Sequence, residues 1–361
     1  MSAAWIDQAG ALPALPDREP LGLDTEFMRR NTFHPKLALV QAAHLSERWL
    51  LDPLAYAVGA DVRALVADRT CVMHSASEDL EALMPLLDDT PLDLFDTQIA
   101  AALCGMGAGL SYQKLVAGVL DIAIPKDETR SDWLQRPLTA GQLDYAEQDV
   151  VHLAALHERL AAELERHGRT AWHAEDCARL VRRARRHHTE IDPQPQRAFP
   201  GAADWHPDAQ VRLKRMLLWR DVTARKLDRP RPWVLDDAHA LSLAQQPPPT
   251  PQALFDRVKG LRAMRGPQRA ELLALLQATS TPEELEALQP IPPAPRGETK
   301  RAIDAMRGVV QAVAEKLALP AGLLCPRRLI EEFAVTRAWP AGLQGWRAAV
   351  LETELTPLLP G

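Results

Sequence analysis

The residues best suited to chemistry sit in one short stretch, Leu21-Gly22-Leu23-Asp24-Thr25-Glu26-Phe27. As a β-strand, this stretch sends successive side chains to opposite faces. Leu21, Leu23, Thr25 and Phe27 make one nearly apolar face, and Gly22, Asp24 and Glu26 share the other. Two carboxylates on one face of a buried strand repel each other and are costly to desolvate unless a cation sits between them. The glycine beside them leaves room for something to approach. This is the pattern of a metal site, and also of a strand end whose acids simply point into water.

Two more acids widen the choice. Asp79 falls in the first turn of a helix opened by Ser75-Ala76-Ser77-Glu78, which fits a capping box with Ser75 as N-cap and Glu78 as its partner. A carboxylate there also gains from the helix dipole, so a structural role suits it equally. Tyr145 and Asp149 lie at i and i+4 on a later helix and share a face. Oxygen-only ligands suit a hard cation, Mg²⁺ or Mn²⁺, and not zinc. Two such cations about 4 Å apart activate a water and stabilise the leaving oxygen in phosphoryl displacement. Tyr145, with an ordinary pKa near 10, is a poor base at neutral pH but suits orienting a water. Sequence separation leaves open whether these groups meet in space.

The elements that must position them follow from periodicity and turn residues. After the first strand, Lys36–Ala43 and Arg48–Pro53 have strand character, and the short connections predict antiparallel hairpins. Val58–Asp68 has helical spacing, Thr70–His74 is an apolar strand, and Leu92–Asp96 is a short strand or turn ending on Asp96, expected as an N-cap. Thr139-Ala140-Gly141-Gln142 is a second capping box. It predicts one long helix to about Glu165, with Leu143, Ala146, Val150, Leu153 and Leu160 as its apolar stripe. The mixture implies an α/β or α+β domain ending between residues 170 and 200. An arginine run, Arg179–His188, suggests a solvated helix face, and Asp192–Pro200 a linker. Beyond Trp205 the chain is helical. It opens with a basic amphipathic helix at 208–227 (Arg212, Lys214, Arg215, Arg220, Arg225, Lys226) and has a second proline-rich break at Pro290–Pro295.

Composition narrows the class. At 361 residues the chain suggests two or three domains. Four scattered cysteines form no Cys-x-x-Cys pair, so neither a zinc site nor a disulfide framework is indicated. No segment resembles a signal peptide or a membrane span, which gives a cytoplasmic expectation. A net charge of −6 argues against a general polyanion binder, although it hides local patches.

Asp24-Thr25-Glu26, the segment His74–Leu80 and Tyr145-x-x-x-Asp149 resemble, in order, the three motifs of the DEDD superfamily of 3′–5′ exonucleases, tyrosine subtype. Lys126-x-Glu128-Thr129-Arg130-Ser131-Asp132-Trp133-Leu134 looks like the segment before the third motif in bacterial ribonuclease D. Residues 205–285 are similar to an HRDC domain, notably Leu218-Trp219-Arg220-Asp221 and Pro230–Leu235, and 297–361 look like a second, divergent copy.

The resemblance implies an α/β ribonuclease H-like exonuclease domain, a mixed sheet flanked by helices, at 1–172. A basic helix and linker at 173–204 and two all-α HRDC-type bundles at 205–288 and 296–361 would follow. It implies removal of nucleotides from RNA 3′ ends, with release of 5′-monophosphates and with two Mg²⁺ or Mn²⁺ ions. Asp24 would bridge both metals, Glu26 and Asp149 would complete the first shell, Asp79 would hold the second metal through water, and Tyr145 would orient the nucleophilic water. Phe27 and Met28 are candidates for packing on the terminal base or sugar, Lys126 and Arg130 for phosphate contacts, and the basic helix 208–227 for an RNA patch. The implied partner is RNA with a free 3′ end, as in transfer RNA precursors; neither a membrane nor a protein partner is indicated. The alternatives are a 3′–5′ DNA exonuclease with the same chemistry and a non-catalytic RNA-binding scaffold.

Overall fold

Leu21–Met28 is a strand inside a six-stranded sheet, and its alternation is visible in burial: Leu21 and Leu23 are fully enclosed, while Asp24 and Glu26 remain partly accessible. The computed structural model describes residues 3–15, 17–124 and 131–360. The strands are β1 (Ala4–Ile6), β2 (Leu21–Met28), β3 (Lys36–His44), β4 (Glu47–Leu51), β5 (Thr70–Met73) and β6 (Asp93–Asp96), in the order β1-β4-β3-β2-β5-β6. β2, β3 and β4 form the antiparallel meander, and β1, β5 and β6 add in parallel. β1, only three residues long, is too short to stand out by periodicity and escapes the sequence reading.

Helices cover both faces of this mixed sheet: α1 (Gly59–Val66), α2 (Ser77–Leu87), α3 (Thr97–Leu103), α4 (Tyr112–Leu120), α5 (Ala140–Val151), α6 (Leu153–Arg166) and α7 (Thr170–Thr189). On one face Leu21, Leu23, Val40 and Ala42 bury against Val62 and Leu65 of α1 and Leu80 and Leu83 of α2. On the other, Ala43 and Val72 pack with Val150, Leu153 and Leu156 of α5 and α6.

Two local expectations need correction. Ser75 does not cap α2: it adopts a left-handed φ of 58°, and no side chain of the N-cap residue, Ala76, serves the helix. The buried carboxylate of Asp96, twenty residues on, accepts from Ser75 N (3.3 Å) and Ala76 N (2.9 Å) instead. The same carboxylate caps α3 through Gln98 N and Ile99 N, so Asp96 is an N-cap twice over. The predicted helix through Glu165 starts as expected, with the Thr139–Gln142 capping box formed, but breaks at His152 between α5 and α6.

The chain divides into two compact units. The second holds residues 29–34 and 189–296 and contains α8 (Pro207–Leu227), α9 (Arg231–Val234), α10 (Asp237–Gln245), α11 (Pro251–Val258), α12 (Gly266–Gln277) and α13 (Pro282–Glu286). Leu213, Met216 and Leu217 of α8 pack with Leu243, Leu254 and Leu272 at its core. Phe33 lies beneath the guanidinium groups of Arg225 and Arg231, 4.9 and 4.6 Å from its ring centre.

The remaining helices, α14 (Gly297–Leu317), α15 (Ala321–Leu324), α16 (Arg327–Thr336) and α17 (Trp346–Leu355), belong to the first unit with the sheet. Met306, Val310, Leu324 and Phe333 enter one apolar core with Leu103, Leu115, Leu156 and Leu160. α14, α15 and the start of α16 repeat the layout of α8, α9 and α10 at a constant offset of 90 positions, 297, 321 and 327 against 207, 231 and 237. Among the described residues no helix is long and apolar enough to cross a membrane.

The C-terminal helices are tied to α7 by a buried ion pair. Arg347 donates to both carboxylate oxygens of Asp176 (2.5 and 2.9 Å), Trp346 Nε1 donates to the same carboxylate, and Trp346 stacks on Trp172 at 4.4 Å. Removing Arg347 would leave the buried Asp176 carboxylate with only the half-buried Arg179 (3.2 Å) and Trp346 Nε1, and breaking a buried pair typically costs about 3–5 kcal/mol. Arg347→Ala is therefore expected to lower the melting temperature by roughly 5–15 °C. The check is calorimetry beside Arg327→Ala, whose ion pair with Glu331 lies at the exposed start of α16 and is expected to matter by less than 1 kcal/mol.

Candidate active site

The acids of β2 meet the acid of α5. Carboxylate oxygens of Asp24, Glu26 and Asp149 all lie within 4.8 Å of one another, each residue part-buried. Gly22 makes this approach possible. A Cβ there would stand 3.1 Å from the Val150 carbonyl oxygen and 3.2 Å from Leu153 Cβ, tighter than side chains normally pack. The backbone just past Asp149 thus rests on the bare surface of β2 beside Asp24.

Asp79 arrives from α2, on the other face of the sheet. It is nearly buried, and Thr25 Oγ1, from the apolar face of β2, donates to its Oδ1 at 2.6 Å. Asp79 lies outside the three-carboxylate group, yet its charge acts on Asp24, Glu26 and Asp149 alike. All four acids named from sequence therefore converge. Tyr145 joins them: one turn before Asp149, its phenol and that carboxylate act on each other's protonation.

Burial and mutual repulsion hold protons on this cluster. Burial, then the neighbouring Asp79, Asp149 and Glu26 charges, raises Asp24 well above the carboxylate range. Glu26 is pushed to about 9 by burial and by Asp149 and Asp79. Asp149 rises to about 7 by burial and Asp79 to about 6 by burial, each moderated by a hydrogen bond, from Tyr145 and Thr25 respectively. Tyr145 is itself raised, first by burial and then by Asp149, so it stays a phenol and cannot act as a base near neutrality. Among the described residues no lysine, arginine or histidine pairs with these four acids. An all-carboxylate donor set without a protein counter-charge fits a hard divalent cation.

Two supporting residues carry no local sequence signal. The pairing of β2 with β3 slips between Glu26 and Phe27, from Leu39 to Leu37, and leaves Ala38 as a bulge. Arg136 Nη2 donates to the freed Ala38 carbonyl at 2.6 Å while its guanidinium grips Asp52 twice at 2.7 Å. The bulge beside Glu26 is thereby fixed from outside the sheet. Tyr112, on α4, hydrogen-bonds to the backbone on either side of the α5–α6 break.

The remaining candidates separate. Phe27 and Met28 end β2 half-buried, next to the acids. Lys126 and Arg130 lie outside the described residues. His74 hydrogen-bonds to Thr97 Oγ1 (2.9 Å) and the Leu110 carbonyl (3.0 Å), a structural role. The basic helix, α8, largely turns its charge inward. Arg212 and Lys214 donate to backbone carbonyls, Arg215 pairs with Glu284, Arg220 with Asp237 and Arg225 with Asp221, all inside the second unit.

Comparison with known proteins decides the family. A family profile described as a 3′–5′ exonuclease matches residues 3–165, and the HRDC domain profile matches 209–271. The chain is 42% identical to a ribonuclease D of Xanthomonas oryzae over 94% of its own length and 93% of the relative's. It belongs to the ribonuclease D family. A ribonuclease D of Pseudomonas paraeruginosa is 38% identical over 91% of this chain and 88% of its own. The crystal structure of Escherichia coli ribonuclease D superposes with a TM-score of 0.82 at 26% identity, covering 99% of both chains. With ribonuclease D membership go 3′–5′ exoribonuclease activity and the use of divalent metal by this exonuclease fold.

The raised pKa values of this ribonuclease D site set the sign of its pH dependence. Glu26 titrates near 4.3 unfolded and near 9 folded, so between those values the metal-free folded chain holds more protons than the unfolded chain. Stability then falls as pH rises through the window. The expected outcome is a chelator-treated melting temperature that declines by several degrees from pH 5 to pH 9. Glu26→Gln should flatten that decline, and scanning fluorimetry across the range checks it.

Proposed function

We propose that the cluster holds two divalent cations, Mg²⁺ or Mn²⁺, and that the chain trims RNA from its 3′ end to 5′-monophosphates. The supporting observation is the convergence of the Asp24, Glu26 and Asp149 oxygens within 4.8 Å, with the Asp79 charge acting on all three and, among the described residues, no ion pair to them from a lysine, arginine or histidine. Asp24, on which the other three charges act, would hold both cations; Glu26 and Asp149 would help hold the first, and Asp79 the second. Bound there, the cations supply Lewis-acid activation of a water and charge neutralisation at the scissile phosphate.

The protein's own groups do the rest. Tyr145, kept a phenol by burial and placed one turn before Asp149, offers a hydroxyl that can hydrogen-bond to the attacking water and so orient it. Phe27 and Met28, half-exposed beyond Glu26, offer apolar surface to the terminal nucleotide. The precursors of transfer RNA and other stable RNAs are the substrates this reading favours. The likeness to an enzyme described as an exoribonuclease involved in structured RNA processing supports it. The relatives' shared naming as ribonucleases does not favour the DNA exonuclease alternative, and the intact acid cluster counts against a non-catalytic scaffold.

A 5′-labelled single-stranded RNA, incubated with Mg²⁺ beside the same sequence as DNA, tests the reading. Stepwise 3′ shortening of the RNA, stopped by chelator, is expected. Asp24→Asn and Asp149→Asn should each lower the rate at least 10³-fold with the fold retained. Tyr145→Phe should slow it about 10–100-fold while RNA binding persists, the scale of losing a polar group that supports a metal site without being a ligand. Near wild-type rates in all three variants would remove the site assignment.

A further inference from the structure

The helix that carries Asp149 is opened by a side chain from elsewhere. In an unbroken helix His152 N–H would bond to the Gln148 carbonyl four residues back. Here the Tyr112 hydroxyl stands between them, donating to Gln148 O at 3.1 Å and accepting from His152 N at 3.3 Å. An inserted side chain is a recognised cause of a helix break, and the break falls at this point, with α5 ending at Val151 and α6 starting at Leu153. Asp149 sits in the opened turn. Tyr112 is buried, and it is close enough to the site for the charges of Asp149 and Asp24 to act on its phenol.

Tyr112 is itself held firmly. Ser111 caps the first turn of α4 through Lys114 N. The preceding carbonyl, Leu110 O, is clamped by His74 Nε2 and Gln98 Nε2, both at 3.0 Å. The His74 ring also lies 5.6 Å from that of Tyr112.

We infer that Tyr112 is a positioning residue for metal binding: its hydroxyl, wedged into the α5–α6 hydrogen-bond ladder, sets the direction in which Asp149 presents its carboxylate to Asp24 and Glu26. Its hydroxyl bonds the backbone of the α5–α6 junction, and through it acts on the turn that carries Asp149. The inference rests on the reading of Asp149 as a metal-holding acid.

The test compares wild type with Tyr112→Phe, Tyr56→Phe and Asp149→Asn. Tyr56 is the control because its hydroxyl bonds only Asp61, on α1, away from the acids. Mn²⁺ is titrated against melting temperature, and kcat and KM are measured on a single-stranded RNA at a temperature where all four proteins are folded. Tyr112→Phe should raise the Mn²⁺ midpoint and lower kcat, each about tenfold or more, as losses of outer-shell support do, with KM for RNA within threefold. Tyr56→Phe should lose melting temperature with both parameters unchanged. If Tyr112→Phe does not fold, Gln98→Ala, which loosens the Leu110 clamp, carries the same expectation at smaller size. A Tyr112→Phe midpoint and kcat within twofold of wild type, while Asp149→Asn loses the Mn²⁺ response, would overturn the inference alone. An unchanged response in Asp149→Asn would instead overturn the metal-site reading beneath it.

Discussion

Three carboxylates whose oxygens lie within 4.8 Å of one another, with a fourth acid close by, must be held together against their own repulsion. If ionised, each such pair would oppose the fold by roughly 3 kcal/mol at an effective dielectric near 20. Among the described residues no basic side chain forms an ion pair with these acids, so relief comes from protons or from divalent cations. Proton and metal therefore compete for the same oxygens, and loading the site releases protons. The scaffold has to be stiff enough to keep the oxygens convergent in either state. That requirement explains why the acids sit on an interior strand and on packed helices and not on loops.

The C-terminal helices share in that stiffness. α6, which continues from the helix bearing Asp149, buries Leu156 and Leu160 in the same core as Met306, Val310 and Phe333. The Asp176–Arg347 pair and the Trp172–Trp346 stack fasten the same helices to α7. The matching layout of α8–α10 and α14–α16 shows one helical plan put to two uses. One copy closes a core of its own, and the other forms part of the wall behind the catalytic sheet.

Much of this was legible in the sequence where the cause is local. The period-two alternation of β2, the i,i+4 placement of Tyr145 and Asp149, and the Thr139 capping box each depend on neighbours within one or two turns, and each is present. What escaped depends on partners far along the chain. Ser75 has the right residue type to cap α2, yet Asp96 takes the amides. The helix predicted through Glu165 has an unbroken apolar stripe, yet a phenol from 40 residues earlier interrupts it. Arg136 at the Ala38 bulge has no periodic signature at all. The basic helix shows the same limit for function: counting cations suggests a nucleic-acid surface, but five of its six charges are engaged inside the second unit. Residue type and spacing give the charge of such a face, but the partners that engage it come from other elements.

The four acids come from three elements; α5 and α2 are each joined to β2 by a contact next to an acid, and to each other through α4. Gly22 lets the backbone after Asp149 settle on β2, which links α5 to the strand. Thr25 bonds Asp79 and so links α2 to the opposite side of the same strand. Tyr112 enters α5 from α4, and its seat on Leu110 leads back through His74 to the end of β5, just before α2. The contacts form a closed circuit around the cluster, from β2 to α5, to α4, to the β5–α2 turn and back to β2. Within such a circuit no acid can withdraw from its neighbours without disturbing a contact at the next element. Mutual repulsion alone would drive the carboxylates apart, so this closure, and not any single hydrogen bond, is what keeps the site formed between one turnover and the next.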